Sequence, residues 1–187
     1  ARHKDRVCLV CAVAVGCEDE ERVFEKHKAK NITLRKISLR EIPVLKKSPE
    51  IRPVIIGFGP AGMFAALALA RAGMRPLVLE RGQDVDTRIR DVESFFAAGA
   101  LNTESNVQFG EGGAGTFSDG KLNTGIKDSR CREILKVFVS HGAPEKILTD
   151  AKPHIGTDIL SGVVKSIRNE IITLGGEVRF GARLDKI

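Results

Sequence analysis

Val54-Ile55-Ile56-Gly57-Phe58-Gly59-Pro60-Ala61-Gly62 is an apolar run that ends in a glycine turn and leads into residues 63–72, nearly all of them small or apolar. The chain returns at Pro76-Leu77-Val78-Leu79-Glu80, a second apolar run closed by an acid. A buried strand, a glycine turn, a helix, a second strand and a terminal carboxylate make the opening βαβ unit of a dinucleotide-binding fold. Gly57 permits the tight turn out of the strand, and Gly59 lets the backbone approach a pyrophosphate with no Cβ in the way. Gly62, with Ala66 and Ala70 on the same helix face, lets the helix pack closely on the sheet. The helix N-terminus, from Ala61 onward, presents unpaired N–H groups to phosphates. Gly73 stops the helix, and Glu80 falls about 20 residues past the glycines, where a carboxylate accepts from ribose hydroxyls.

Glu80 suits a free ribose diol, and so FAD or NAD; a 2′-phosphate would meet like charge, although Arg81 beside it keeps NADP open. A second glycine-rich stretch follows at Asn106-Val107-Gln108-Phe109-Gly110-Glu111-Gly112-Gly113-Ala114-Gly115-Thr116-Phe117-Ser118-Asp119-Gly120-Lys121-Leu122. Glycine at this density costs too much backbone entropy for a regular strand or helix. Such a loop offers free N–H groups and little side-chain bulk, which suits close contact with a phosphate or a flat ring. Thr116 and Ser118 add hydroxyls.

Glu80-Arg81-Gly82, taken with Gly59-Pro60-Ala61-Gly62, resembles the FAD-binding flavoprotein form of the motif more than that of NAD dehydrogenases. With the 106–122 stretch, residues 51–187 resemble the uncharacterised bacterial FAD-dependent dehydrogenases, a branch of the two-dinucleotide-binding-domain flavoproteins. The resemblance implies an α/β chain: a Rossmann-like FAD/NAD(P)-binding βαβ domain preceded by a small, partial α+β domain. It implies FAD as cofactor, a small-molecule substrate, and NAD(P)H as a candidate electron donor. In related flavoproteins the second glycine loop reaches back to the cofactor, which assigns Gly112, Gly113, Gly115, Thr116 and Ser118 to FAD. Gly57, Gly59, Pro60, Ala61, Gly62, Glu80 and Arg81 then hold the ADP half. No catalytic residue is assigned, because the cofactor carries the redox chemistry.

Other readings of these residues fit less well. Gly110 to Gly115 is itself G-x-G-x-x-G, but no apolar strand leads in and no apolar helix leads out. Gly115 to Lys121 is one residue short of a P-loop, with Leu122 where a magnesium-binding Ser or Thr belongs. A flexible surface loop without a ligand is the blander alternative. The formal charge is +6, yet acids are interleaved with the bases, and with no Trp or Tyr few rings are left to stack on nucleic-acid bases. A flavin-bearing RNA-modification protein and an NAD-linked dehydrogenase remain the alternative functions. Cys8 and Cys11 sit three apart in an apolar run that reads as a strand, so they point to opposite faces, and no second pair completes a metal site. No metal is expected. Nothing approaches a membrane span, no signal peptide is visible, and the expected location is cytoplasmic.

Two domains are expected: residues 1–50, a partial N-terminal α+β domain with its linker, and residues 51–187, the FAD-binding domain. The chain opens on Ala1 and closes in what reads as a beginning strand, so a piece of a longer protein is expected. In the first domain, residues 7–15 read as a strand, 19–30 as a charged helix and 32–39 as a second strand, before a linker with Pro43, Lys46, Lys47, Pro49 and Pro53. In the second, Asp84 caps a helix with Val85, Ile89, Val92 and Phe96 on one face. A further helix carries Cys131, Ile134, Leu135, Phe138 and Val139. Another turns Leu160, Val163, Val164, Ile167, Ile171 and Leu174 inward and ends at Gly175-Gly176, before Val178, Phe180 and Ala182 alternate as a strand. His154, Asp119 and Lys121 lie near the glycine loop without an assigned role.

Overall fold

The computed structural model describes residues 2–3, 6–7, 13, 15–27, 32–34, 43–44, 50–122, 124–126, 128 and 130–186. The chain divides into two compact units, Ala1–Glu41 and Ile42–Ile187.

In the first unit, β1 (Arg2–His3) pairs antiparallel with β2 (Arg6–Val7). The strand expected at 7–15 does not continue through its described part: residues 13 and 15–17 are irregular, and Val13 and Val15 are exposed. Among the described residues no strand pairs with them, and unpaired backbone stays solvated. Cys8 and Cys11 lie outside the described residues. Helix α1 (Glu20–Lys26) starts where Asp19 accepts from the Arg22 amide and carries Glu20 and Glu21 in its first turn, Lys26 in its last. That charge order suits the helix dipole. Residues 28–30 of the expected helix, and 35–39 of the second expected strand, lie outside the described residues; 32–34 are irregular. Of the expected linker, Lys46, Lys47 and Pro49 also lie outside them.

The second unit is mixed α/β. β3 (Val54–Ile56), β4 (Leu77–Leu79) and β5 (Glu177–Arg179) form a parallel sheet in that order, with Ile55, Val78 and Val178 in register. Helix α2 (Pro60–Arg71) crosses from β3 to β4. Helices α3 (Val85–Ala98), α4 (Arg130–Ser140) and α5 (Thr157–Thr173) follow before β5. The core lies between one face of the sheet and the α2–α5 pair: Val78 belongs to one buried cluster with Met63, Ala66, Leu67 and Ala70 of α2 and Val163, Val164, Ile167 and Ile171 of α5, with Ile55 and Val178 packed against it. Small residues at 66 and 70 let α2 lie close.

Several details depart from the expectation. Val54 and Ile56 are half-exposed, so β3 is not buried on both faces; among the described residues it is a sheet edge. Phe96 is 75% exposed because the last turn of α3 runs past the core, and Leu174 stands outside as the residue that ends α5. The glycine loop holds one short 3-10 turn, Ala114–Phe117. β5 itself is only three residues long, although Gly181 and Ala182 continue to bond Gly82 and Glu80 carbonyls.

Candidate functional site

The first glycine turn is built by the clash it avoids. Gly57 has φ +87°, and its amide bonds the Leu79 carbonyl at 2.8 Å, locking turn to sheet. A Cβ on Gly62 would overlap the Gly57 carbonyl oxygen and meet Ile55 Cγ2 at 3.4 Å, so only glycine lets α2 start this close to β3. Gly59 precedes the first turn, Pro60 occupies it, and the first amide to find a helical acceptor is that of Met63, on Gly59 O at 2.9 Å. Among the described residues the amides of Ala61 and Gly62 have no acceptor, which leaves a positive helix end facing outward.

Glu80 stands just past β4 and is 4% exposed. One carboxylate oxygen accepts the Phe58 amide at 2.6 Å, the other the Gly82 amide at 2.9 Å. The acid therefore braces the glycine turn before it meets any ligand, a task invisible in the sequence. An ionised carboxylate has about four lone-pair sites, so two stay open. Arg81 is held by Glu104 (2.9 and 3.1 Å) with its guanidinium 4.0 Å over the Phe109 ring.

The second glycine loop leans on the first. The Gly112 amide bonds Phe58 O at 2.8 Å. A Cβ on Gly113 would come within 3.2 Å of Gly59 Cα and Pro60 Cδ, and one on Gly82 would strike the Gly110 backbone. Gly110, Gly112 and Gly113 all have positive φ, closed to most side chains. The glycine density predicts many free amides here, but Gly112, Gly113, Thr116 and Ser118 spend theirs on nearby carbonyls; among the described residues the amides of Ala114 and Gly115 find no acceptor. Thr116 is buried with its hydroxyl on Glu111 O, and exposed Ser118 bonds Gly115 O. Beneath the loop lies a cleft of ≈450 Å³, solvent at its mouth included. Met63, Phe138, Leu160 and Val164 form its apolar floor, and Pro60, Gly112, Gly115, Thr116 and Ser118 its rim. Lys121 also lines it and pairs with Asp119; His154 is exposed, bridged through its backbone to Lys121.

Two residues that no motif marks complete the site. Arg88 of α3 is fully buried and donates to three carbonyls of one loop: Asn106 and Val107 at 2.8 Å and Glu111 at 2.7 Å. Its guanidinium lies 4.7 Å from the Phe117 ring. Burial pulls its pKa down to about 10, against the pull of Glu80 and Glu111, so it stays charged at neutral pH. Glu111, also fully buried, accepts the Val85 amide at 2.7 Å and faces Arg168 at 3.3 Å. Burial raises its carboxyl above the usual range, against the Val85 bond and Arg168. The available signal was an arginine on the apolar stripe of α3, between Val85 and Val92.

Residues 52–120 match the family model of the FAD binding domain, a span that runs from β3 through both glycine loops. An uncharacterized protein of Clostridium beijerinckii (strain ATCC 51743 / NCIMB 8052) is 52% identical over 190 residues, covering all of this chain. The chain spans 35% of that relative's length. FAD is the cofactor. The residues present fit it: no Cβ stands between Gly59 and Gly113, two helix amides are free, and Glu80 keeps open lone pairs.

Proposed function

We propose that this chain is the FAD-holding part of a flavin-dependent oxidoreductase of dehydrogenase type, built on a Rossmann-like domain at 51–187 that is preceded in the sequence by a small, partial α+β domain at 1–50. The observation that carries this reading is the meeting of three elements at one edge: the free amides of α2, the buried Glu80 and the second glycine loop. In this reading the Ala61 and Gly62 amides and the positive end of α2 hold the diphosphate, with Gly57 and Gly59 keeping the approach clear. Glu80 accepts from the ribose hydroxyls, and Arg81, fixed by Glu104 and Phe109, flanks it. Gly112, Gly113, Gly115, Thr116 and Ser118 line the approach to the apolar cleft, whose floor suits a flat ring. When bound, the flavin supplies two-electron redox chemistry; the chain supplies position and electrostatics.

A small-molecule substrate, NAD(P)H as donor and a cytoplasmic setting belong to the same proposal. No helix among the described residues is long and apolar enough to cross a membrane.

Glu80→Ala tests it. The variant loses the ribose acceptor and leaves the Phe58 and Gly82 amides unpaired, at about 1–3 kcal/mol for each buried group. FAD affinity, read by flavin fluorescence polarisation, should fall roughly tenfold or more. Unchanged affinity in a folded variant would remove Glu80 from the site.

A further inference from the structure

The α3 stripe puts a charge where an apolar residue belongs. Val85 and Val92 are buried beside Arg88, and a buried cation costs several kcal/mol unless its donors are met. Here Nε, Nη1 and Nη2 each reach a main-chain carbonyl, all within residues 106–111. That segment is irregular, so its carbonyls lack the partners a strand or helix would give them. One guanidinium does the work of a neighbouring strand. The clamped segment ends at Glu111, whose own amide bonds Gln83 O at 3.0 Å, and the next amide, Gly112, is the one that bonds Phe58 O in the first glycine turn. Glu80 braces that same Phe58 residue from the other side, through its amide.

We propose that Arg88 is a positioning residue for the cofactor site: its three carbonyl bonds hold the second glycine loop against the first. Arg88 touches no ligand in this scheme and acts through Glu111 and Gly112. The inference rests on the FAD reading of the site. It goes further by naming what sets the loop's shape, and it distinguishes fork from charge. Lysine would keep the charge but cannot bond three carbonyls in one plane.

The test compares the chain with Arg88→Lys, reading FAD affinity by fluorescence polarisation and amide hydrogen exchange across residues 106–116. Circular dichroism establishes that the variant is folded. The expected result is a roughly tenfold or greater loss of FAD affinity, with faster exchange at 106–112 and unchanged exchange in α5. A folded Arg88→Lys with the original affinity and the original loop exchange overturns the proposal. Weaker binding with uniformly faster exchange everywhere also overturns it, because that is the mark of general destabilisation. Where the variant does not fold, the unsubstituted chain serves: the Arg88 Nε–H resonance should be protected and should shift on adding FAD. A resonance that saturating FAD leaves in place overturns the proposal. If the unsubstituted chain binds no FAD, the cofactor reading fails on its own, and loop exchange in Arg88→Lys still decides whether the clamp exists.

Discussion

Gly59 and Gly62 stand three residues apart in one motif, yet they are glycine for different reasons. At Gly62 a Cβ would overlap the Gly57 carbonyl, a fixed backbone atom that cannot swing away. At Gly59 the nearest atom to an added Cβ is Gly113 Cα at 3.9 Å, ordinary contact, and its φ of −73° suits any residue. The two alanine variants should therefore part. Gly62→Ala should lose about 1–3 kcal/mol of stability through overpacking, read as a lower urea midpoint. Gly59→Ala should stay within about 1 kcal/mol, the range of helix-cap changes, and still lose FAD affinity, because its methyl group enters the space between the two glycine loops. Equal destabilisation of both would mean that the turn serves packing alone. The glycines were legible in the sequence because their spacing is a backbone requirement. Glu80 was legible by position only: its grip on the Phe58 and Gly82 amides depends on a fold that brings residue 58 beside residue 80. Arg88 shows in the sequence only as a charge on the apolar stripe of α3, and Glu111 not at all, since their partners are main-chain carbonyls, an amide and Arg168 far along the chain, and such partners leave no motif.

Among the elements, α3 shows how a helix is anchored at its start and left free at its end. Asp84 caps it, accepting from the Asp86 and Thr87 amides and the Thr87 hydroxyl. Burial works to raise the Asp84 pKa, but those bonds outweigh it and the carboxyl lies below its ordinary value. A depressed acid stabilises above its unfolded pKa and loses that contribution as pH falls through the folded one. Asp84→Ala should thus cost about 0.5–2 kcal/mol near neutral pH. The cost should shrink once pH drops below about 3.9, the unfolded value for an aspartate. Urea midpoints of both proteins from pH 7 to pH 3 check this, and a pH-independent gap would count against the charged cap. The cap and the Val85 and Val92 positions were readable from the sequence, as was the whole inner face of α5 apart from Leu174. Helix ends were the weak point: periodicity carries Phe96 and Leu174 onto a buried face, but the core stops a turn earlier. Ties between helices were also hidden. Glu170 of α5 joins Arg71 of α2 at 2.6 Å and His141 beside α4 at 2.8 Å, and Arg71 holds its carboxyl below the usual range.

At the scale of the whole molecule, the βαβ unit was legible because three signals coincided: an apolar strand, a glycine turn and a small-residue helix. The first unit was less so. Its valines at 13 and 15 alternate like strand residues but stand exposed, and alternation cannot say whether a partner strand exists. Nor could the sequence say that β5 pairs with β4, which leaves Val54 and Ile56 half-exposed on β3. The chain spans 35% of the relative it matches, and the FAD-binding match ends at residue 120 of 187. We propose that β3, α2, β4 and the second glycine loop together make a flavin site. The most direct measurement is a titration of the purified chain with FAD, followed by flavin fluorescence polarisation and then by challenge with excess NAD and ATP. Saturable FAD binding that neither competitor displaces is the predicted result. A folded chain that ignores FAD, or that yields it readily to NAD, would contradict the account.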